Sequence, residues 1–150
     1  MTPRIANPHA LAPEAIKAMM ALEQSFTKSG LDHNLLELVK FRVSQINGCA
    51  FCLHMHATDL RHHGESEMRL YMLSAWREST LYSDRERAAL GWAEALTRLP
   101  ETGAPDADYD ALKAAFSDAE QVWLTMVIGA INTWNRLQVA FRVAHPVDDA

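Results

Sequence analysis

Four residues stand at a spacing that suits redox chemistry: Glu37-x11-Cys49-x2-Cys52-x3-His56. On a helix advancing about 100° per residue, Cys49, Cys52 and His56 fall within about 60° of one another. Two thiols and an imidazole then share one flank, with Cys52 and His56 as i,i+4 neighbours. Asn47-Gly48 precedes the first cysteine and is the strongest turn dipeptide in the chain. Both thiols therefore belong to the first turn of a new helix. Unpaired N–H groups and the positive end of the helix dipole favour thiolate there. Cysteine pKa values of about 8.5 fall to about 3.5–7.5 in such places, so the pair is expected to be reactive.

Glu37 lies eleven residues before the turn, about 16 Å of helix, and His56 lies eight after it, about 12 Å. An antiparallel hairpin would bring the two within about one helical turn. A carboxylate could then hold the imidazole, directly or through one water, while the other ring nitrogen faces Cys52. That is a nucleophile–base–orienter arrangement. Other readings of the same residues stay open. Two cysteines can be small core residues, and Cys49, Cys52 and His56 could supply three zinc ligands, although no second cysteine pair completes a structural site. Taken alone, Glu37 reads as an exposed helical carboxylate and His56 as a surface histidine. His54, His62 and His63 point off the stripe or end the helix and read as structural.

The elements that must position these residues are all helical. Period-2 alternation is absent, and Ala, Leu, Glu, Met and Arg dominate. Start and stop signals divide the chain into about seven helices. Pro13-Glu14 opens the first, which closes near Lys28 before Ser29-Gly30. Asp32 or His33 starts the second, with the stripe Leu35, Val39, Val43 and Ile46. The third runs from about Cys49 to His62-His63-Gly64. Ser66 begins a fourth, through Trp76. Capping boxes at Ser83–Glu86 and Ser117–Glu120 open the fifth and the last. Pro100 to Pro105 reads as a loop, followed by a short helix around Tyr109–Phe116. The last helix, ending before Pro146, is apolar around its circumference, from Trp123 through Phe141. It is expected to be central, or to form a subunit interface, or both.

Composition narrows the function class. The 150 residues are 49% hydrophobic and 22% charged, which fits one domain over 1–150 and excludes disordered and collagen-like chains. The formal charge is −5, and no Lys/Arg block tracks a phosphate backbone, so nucleic acid is not an expected partner. No segment approaches the ~20 apolar residues of a membrane helix. Met1-Thr2-Pro3-Arg4 leads into no apolar signal core, so the expected location is the cytoplasm. Two cysteines at close spacing do not make a secreted disulfide scaffold.

The stretch Arg42-Val43-Ser44-Gln45-Ile46-Asn47-Gly48-Cys49-Ala50-Phe51-Cys52-Leu53-His54-Met55-His56 resembles the core motif of AhpD-like alkylhydroperoxidases, in the carboxymuconolactone decarboxylase superfamily. Leu90–Thr97 and Ala130–Leu137 are also similar to this family, and the likeness spans roughly residues 10–145. The resemblance implies an all-α fold and homo-oligomers, commonly trimers or hexamers. It implies peroxide reduction by Cys49 and Cys52, with His56 and Glu37 as a proton relay and no bound cofactor. The expected partners are a hydroperoxide substrate and an external dithiol reductant or redox adaptor protein. The peroxidase members place a His just before the second cysteine, where this chain has Phe51. The branch that carries out lactone decarboxylation lacks the cysteine pair, so that activity is not expected. Cys52 is the expected attacking thiol and Cys49 the resolving one. The alternatives are a disulfide reductase or redox relay, and a non-catalytic oligomer with metal-binding or relic cysteines.

Overall fold

A computed structural model describes residues 2–147. Met1 and residues 148–150 of the expected 1–150 domain lie outside them. The described residues form eight α-helices: α1 (Pro13–Ser25), α2 (His33–Asn47), α3 (Ala50–His62), α4 (Glu67–Met72), α5 (Asp84–Thr97), α6 (Leu99–Thr102), α7 (Asp106–Ala115) and α8 (Asp118–Phe141). No strand occurs among the described residues. No helix among them is long and apolar enough to cross a membrane.

The predicted boundaries hold where a side chain caps the backbone. Asp32 accepts from the Leu35 N–H and opens α2. Ser66 opens α4 in the same way, and both Ser83/Glu86 and Ser117/Glu120 form complete capping boxes. The differences lie at uncapped ends. The first helix stops at Ser25 and continues to Lys28 only as a 3-10 turn. The fourth stops at Met72, and a 3-10 turn over Leu73–Ala75 completes the path to Trp76. The expected loop at Pro100 holds one helical turn, α6, because proline suits a first-turn position and Gly103 closes the turn at φ 64°. The short helix expected at Tyr109 starts earlier, at Asp106, directly after Pro105. The last ends at Phe141, with Arg142 in the left-handed region at φ 55°.

The central element is α2, with every residue from Leu35 to Ser44 buried. It packs against α3, α5 and α8. Two apolar clusters flank it. Val39 and Val43 join Ala89, Ala93, Leu124, Val127, Ile128 and Ile131 on one side. Leu38 and Phe41 join Leu60, Leu73, Trp76 and Leu90 on the other. A helix covered all round must also bury its polar residues, and Glu37, Lys40 and Arg42 are all under one-tenth exposed. Arg42 pairs with Glu94 of α5 at 2.8 Å, and Glu94 also accepts from the Trp76 indole at 2.8 Å. The last helix, by contrast, buries one face and leaves Val122, Met126 and Val139 outward.

Candidate active site

The corner between α2 and α3 is built by Gly48, whose φ of 65° lies in the region that glycine enters without cost. Its N–H closes α2, and the Cys49 N–H donates back to the Ser44 carbonyl at 3.1 Å. Asn47 anchors this corner to α8, donating to Asn132 Oδ1 at 3.0 Å and to Asn135 Oδ1 at 2.9 Å. Asn135 in turn donates to Ser44 Oγ at 3.0 Å. The asparagines that polarise the last helix thus position the turn before the cysteines.

Cys49 is the N-cap of α3, and its sulfur accepts from the Cys52 N–H at 3.3 Å. Cys49 and Cys52 are bonded as a disulfide, their Cα atoms 5.3 Å apart. Both are buried, yet only Cys52 reaches the wall of a cavity of about 640 Å³. The apolar part of that wall comes from Ile16, Met20, Phe51, Met55, Ile131 and Trp134. Its polar lining includes Glu23, Glu37, Lys40 and His56.

The hairpin brings Glu37 and His56 into direct contact, Oε2 to Nδ1 at 2.6 Å, with no intervening water needed. In the neutral ring Nδ1–H donates to the carboxylate and Nε2 carries the lone pair; in the charged ring Nε2 carries the second proton. That nitrogen is buried and has no hydrogen-bond partner among the described residues. A buried nitrogen without a protein partner, on a residue that lines a cavity, marks a candidate functional group. Burial alone would raise the Glu37 carboxyl, but the His56 hydrogen bond and charge, with the Lys40 ammonium, outweigh it and hold the pKa at about 2.

Sequence reasoning missed Lys40 and Glu23. Lys40 Nζ lies 3.0 Å from Glu37 Oε1 and 3.0 Å from Glu23 Oε2. Burial would lower this ammonium, yet Glu37 and Glu23 together raise it above its ordinary value. Glu23 also accepts from the Trp134 indole at 3.1 Å. A chain of charge therefore runs from His56 through Glu37 and Lys40 to Glu23 and α8. The i,i+3 spacing of Glu37 and Lys40 was a readable signal; the contribution of Glu23 from α1 was not. Among the described residues, the group of His, Cys, Asp and Glu side chains that converges closely enough for a cation is His33, Asp59 and His63. Cys49, Cys52 and His56 do not form such a group, both sulfurs being engaged in the disulfide.

The family model for the carboxymuconolactone decarboxylase family matches residues 13–95, which include the whole α2–α3 hairpin. The chain belongs to that family. An uncharacterised Bacillus subtilis protein, YdfG, is 42% identical over 130 residues, 87% of this chain and 88% of its own. A protein of unknown function from Agrobacterium tumefaciens, described as a candidate antioxidant defence protein AhpD, is 52% identical. Its solved structure superposes with a TM-score of 0.93, covering 98% of this chain and all of that one. An uncharacterised peroxidase-related protein from Silicibacter sp. TM1040 is 26% identical with a TM-score of 0.82, over 98% of this chain and 78% of its own. The fold of this family member is therefore AhpD-like.

Proposed function

We propose that this protein is a dithiol-dependent hydroperoxide reductase. The observation that carries the reading is the Cys49–Cys52 pair beside a buried His56–Glu37 dyad, with His56 and Cys52 lining one cavity and His56 Nε2 without a partner among the described residues. Likeness to a candidate antioxidant defence protein and to a peroxidase-related protein supports it.

In the reduced enzyme His56 Nε2 takes the Cys52 thiol proton, and Glu37 stabilises the imidazolium. The Cys52 thiolate attacks the distal peroxide oxygen, the O–O bond breaks, and the alkoxide leaves as alcohol after taking the proton from His56. Cys52 is then a sulfenic acid. The Cys49 thiol attacks its sulfur, water leaves, and the disulfide forms. An external dithiol restores both thiols by attacking Cys52, the sulfur on the cavity wall. Cys49 leaves as a thiolate stabilised by the Cys52 N–H it already accepts. The apolar wall favours an organic hydroperoxide over hydrogen peroxide.

The test is peroxide oxidation of the reduced protein, with mass mapping of the thiols. Cys52→Ser should lose turnover, and Cys49→Ser should stop at a sulfenic acid. Full cumene hydroperoxide turnover by Cys52→Ser would overturn the assignment. Phe51 favours a second reading, since an apolar ring lines the cavity where peroxidase members carry a histidine. The protein would then be a disulfide reductase or relay. Faster turnover of a disulfide substrate than of cumene hydroperoxide, with one shared reductant, would select it.

A further inference from the structure

At the far end of the hairpin, the start of α2 and the end of α3 bring together three side chains that the thiol chemistry does not use. His33 is the first residue of α2, Asp59 lies in the last turn of α3, and His63 caps that helix. The Asn34 side chain donates to the His63 carbonyl at 3.4 Å and ties the two ends together. His33 Nε2 lies 2.7 Å from Asp59 Oδ2. His63 Nδ1 lies 3.6 Å from Asp59 Oδ1 and 2.9 Å from the Asp59 carbonyl oxygen. The two imidazole rings are 4.3 Å apart, and one donor atom from each of the three residues lies within 4.8 Å of the others.

We propose that His33, Asp59 and His63 form a binding site for a divalent transition-metal cation of the zinc class. The donor set decides the class. Two imidazoles and one carboxylate suit zinc, nickel, cobalt or copper, whereas calcium and magnesium take oxygen ligands. Within the cluster the Asp59 carboxylate serves His33, while His63 Nδ1 is held by the Asp59 carbonyl oxygen at 2.9 Å and not by the carboxylate. Zinc bonds of about 2.0–2.2 Å in tetrahedral geometry place donors about 3.4 Å apart, between the closest and widest separations here. The side chains stand at helix ends and are a third to a half exposed, so they can rotate into place.

On binding, the cation replaces the proton held between His33 Nε2 and Asp59 Oδ2, which passes to solvent. Three protein ligands leave a further coordination position for water or another small ligand. His33 and Asp59 also line the cavity that Cys52 and His56 share, so the ion sits on the same wall as the thiol site. It also braces α2 against α3.

Thiols compete for such ions, so the test uses the protein in its disulfide form, where neither sulfur is available. Zinc is titrated in competition with a chromophoric chelator, and cobalt is added separately for its spectrum. The wild type should bind one ion per chain, and His33→Ala and Asp59→Asn should each weaken binding by about tenfold or more. His62→Ala, an exposed histidine outside the cluster, should bind as the wild type does. Cobalt should give visible bands of nitrogen and oxygen ligation without a thiolate charge-transfer band. No binding by the disulfide form, equal affinity in the cluster variants, or a thiolate band would each overturn the site. None of these readouts needs turnover, so the result is independent of the peroxidase reading.

Discussion

Replacing Glu37 by glutamine keeps the shape of the side chain and removes its charge. A carboxyl held at about 2, against an ordinary 4.5, contributes about 3 kcal/mol of folding stability at neutral pH. The sign follows from the direction of the shift. The folded state binds fewer protons, so this stability is present above about pH 4.5 and lost as pH falls toward 2. Urea denaturation of both proteins, in their disulfide forms, should therefore show a gap of about 3 kcal/mol at pH 7. The gap should shrink to less than half by about pH 3, because the wild type alone loses the term. The same substitution should lower hydroperoxide turnover by about 10²–10⁴-fold, since glutamine cannot stabilise a charged His56. A gap that is small at pH 7, or that does not change on acidification, would refute the argument that the ion pair holds this carboxylate.

Lys40→Met should cost about 3 kcal/mol, because it leaves Glu37 and Glu23 buried on one wall without their shared cation; denaturant midpoints measure this. The same variant should lower kcat more than KM, since Lys40 positions Glu37 and supplies none of the cavity's apolar contacts. Asn47→Ala should cost about 1–3 kcal/mol by removing the donor to the buried Asn135 amide oxygen and one of the two donors to Asn132 Oδ1, which keeps Arg136, read from the same denaturation curves. The outward Val122, Met126 and Val139 of α8 are expected to lie in a homo-oligomer interface. Light scattering should then report a mass that is a multiple of 16.8 kDa, and a monomer at micromolar concentration would refute it.

Local chemistry made most of the fold legible. Asp32, Ser66, Ser83 and Ser117 each accept from a backbone N–H at the helix start read from the sequence, because a cap is a contact within three residues. Gly48 was legible for the same reason, since a left-handed residue after Asn47 is a local demand. Helix ends without a cap were harder to read. Whether Phe26–Lys28 or Leu73–Ala75 winds as α or 3-10 depends on packing, and Pro100 is compatible with either a loop or a first turn. Apolar residues all round α8 suggested a central helix, a subunit interface, or both, and gave no sign that α2, with its charged residues, is covered on every side.

The reason lies in what periodicity can report. A stripe of Val39 and Val43 marks one face of α2, and nothing along the chain says that Glu37, Lys40 and Arg42 are also enclosed. Each of those charges is buried because a partner from a distant segment meets it: His56 across the hairpin, Glu23 from α1 and Glu94 from α5. The hairpin partner could be placed by counting helical rise on either side of the turn. The partners from α1 and α5 could not, since their approach is set by tertiary packing. The same logic separates the two ends of the hairpin. Cys49, Cys52 and His56 lie on one short helix and were visible as a spacing, whereas His33 meets Asp59 and His63 across 26 and 30 residues of chain, at the end remote from the turn. A spacing reveals chemistry when one helix carries it; when two helices share it, only the register of the hairpin does.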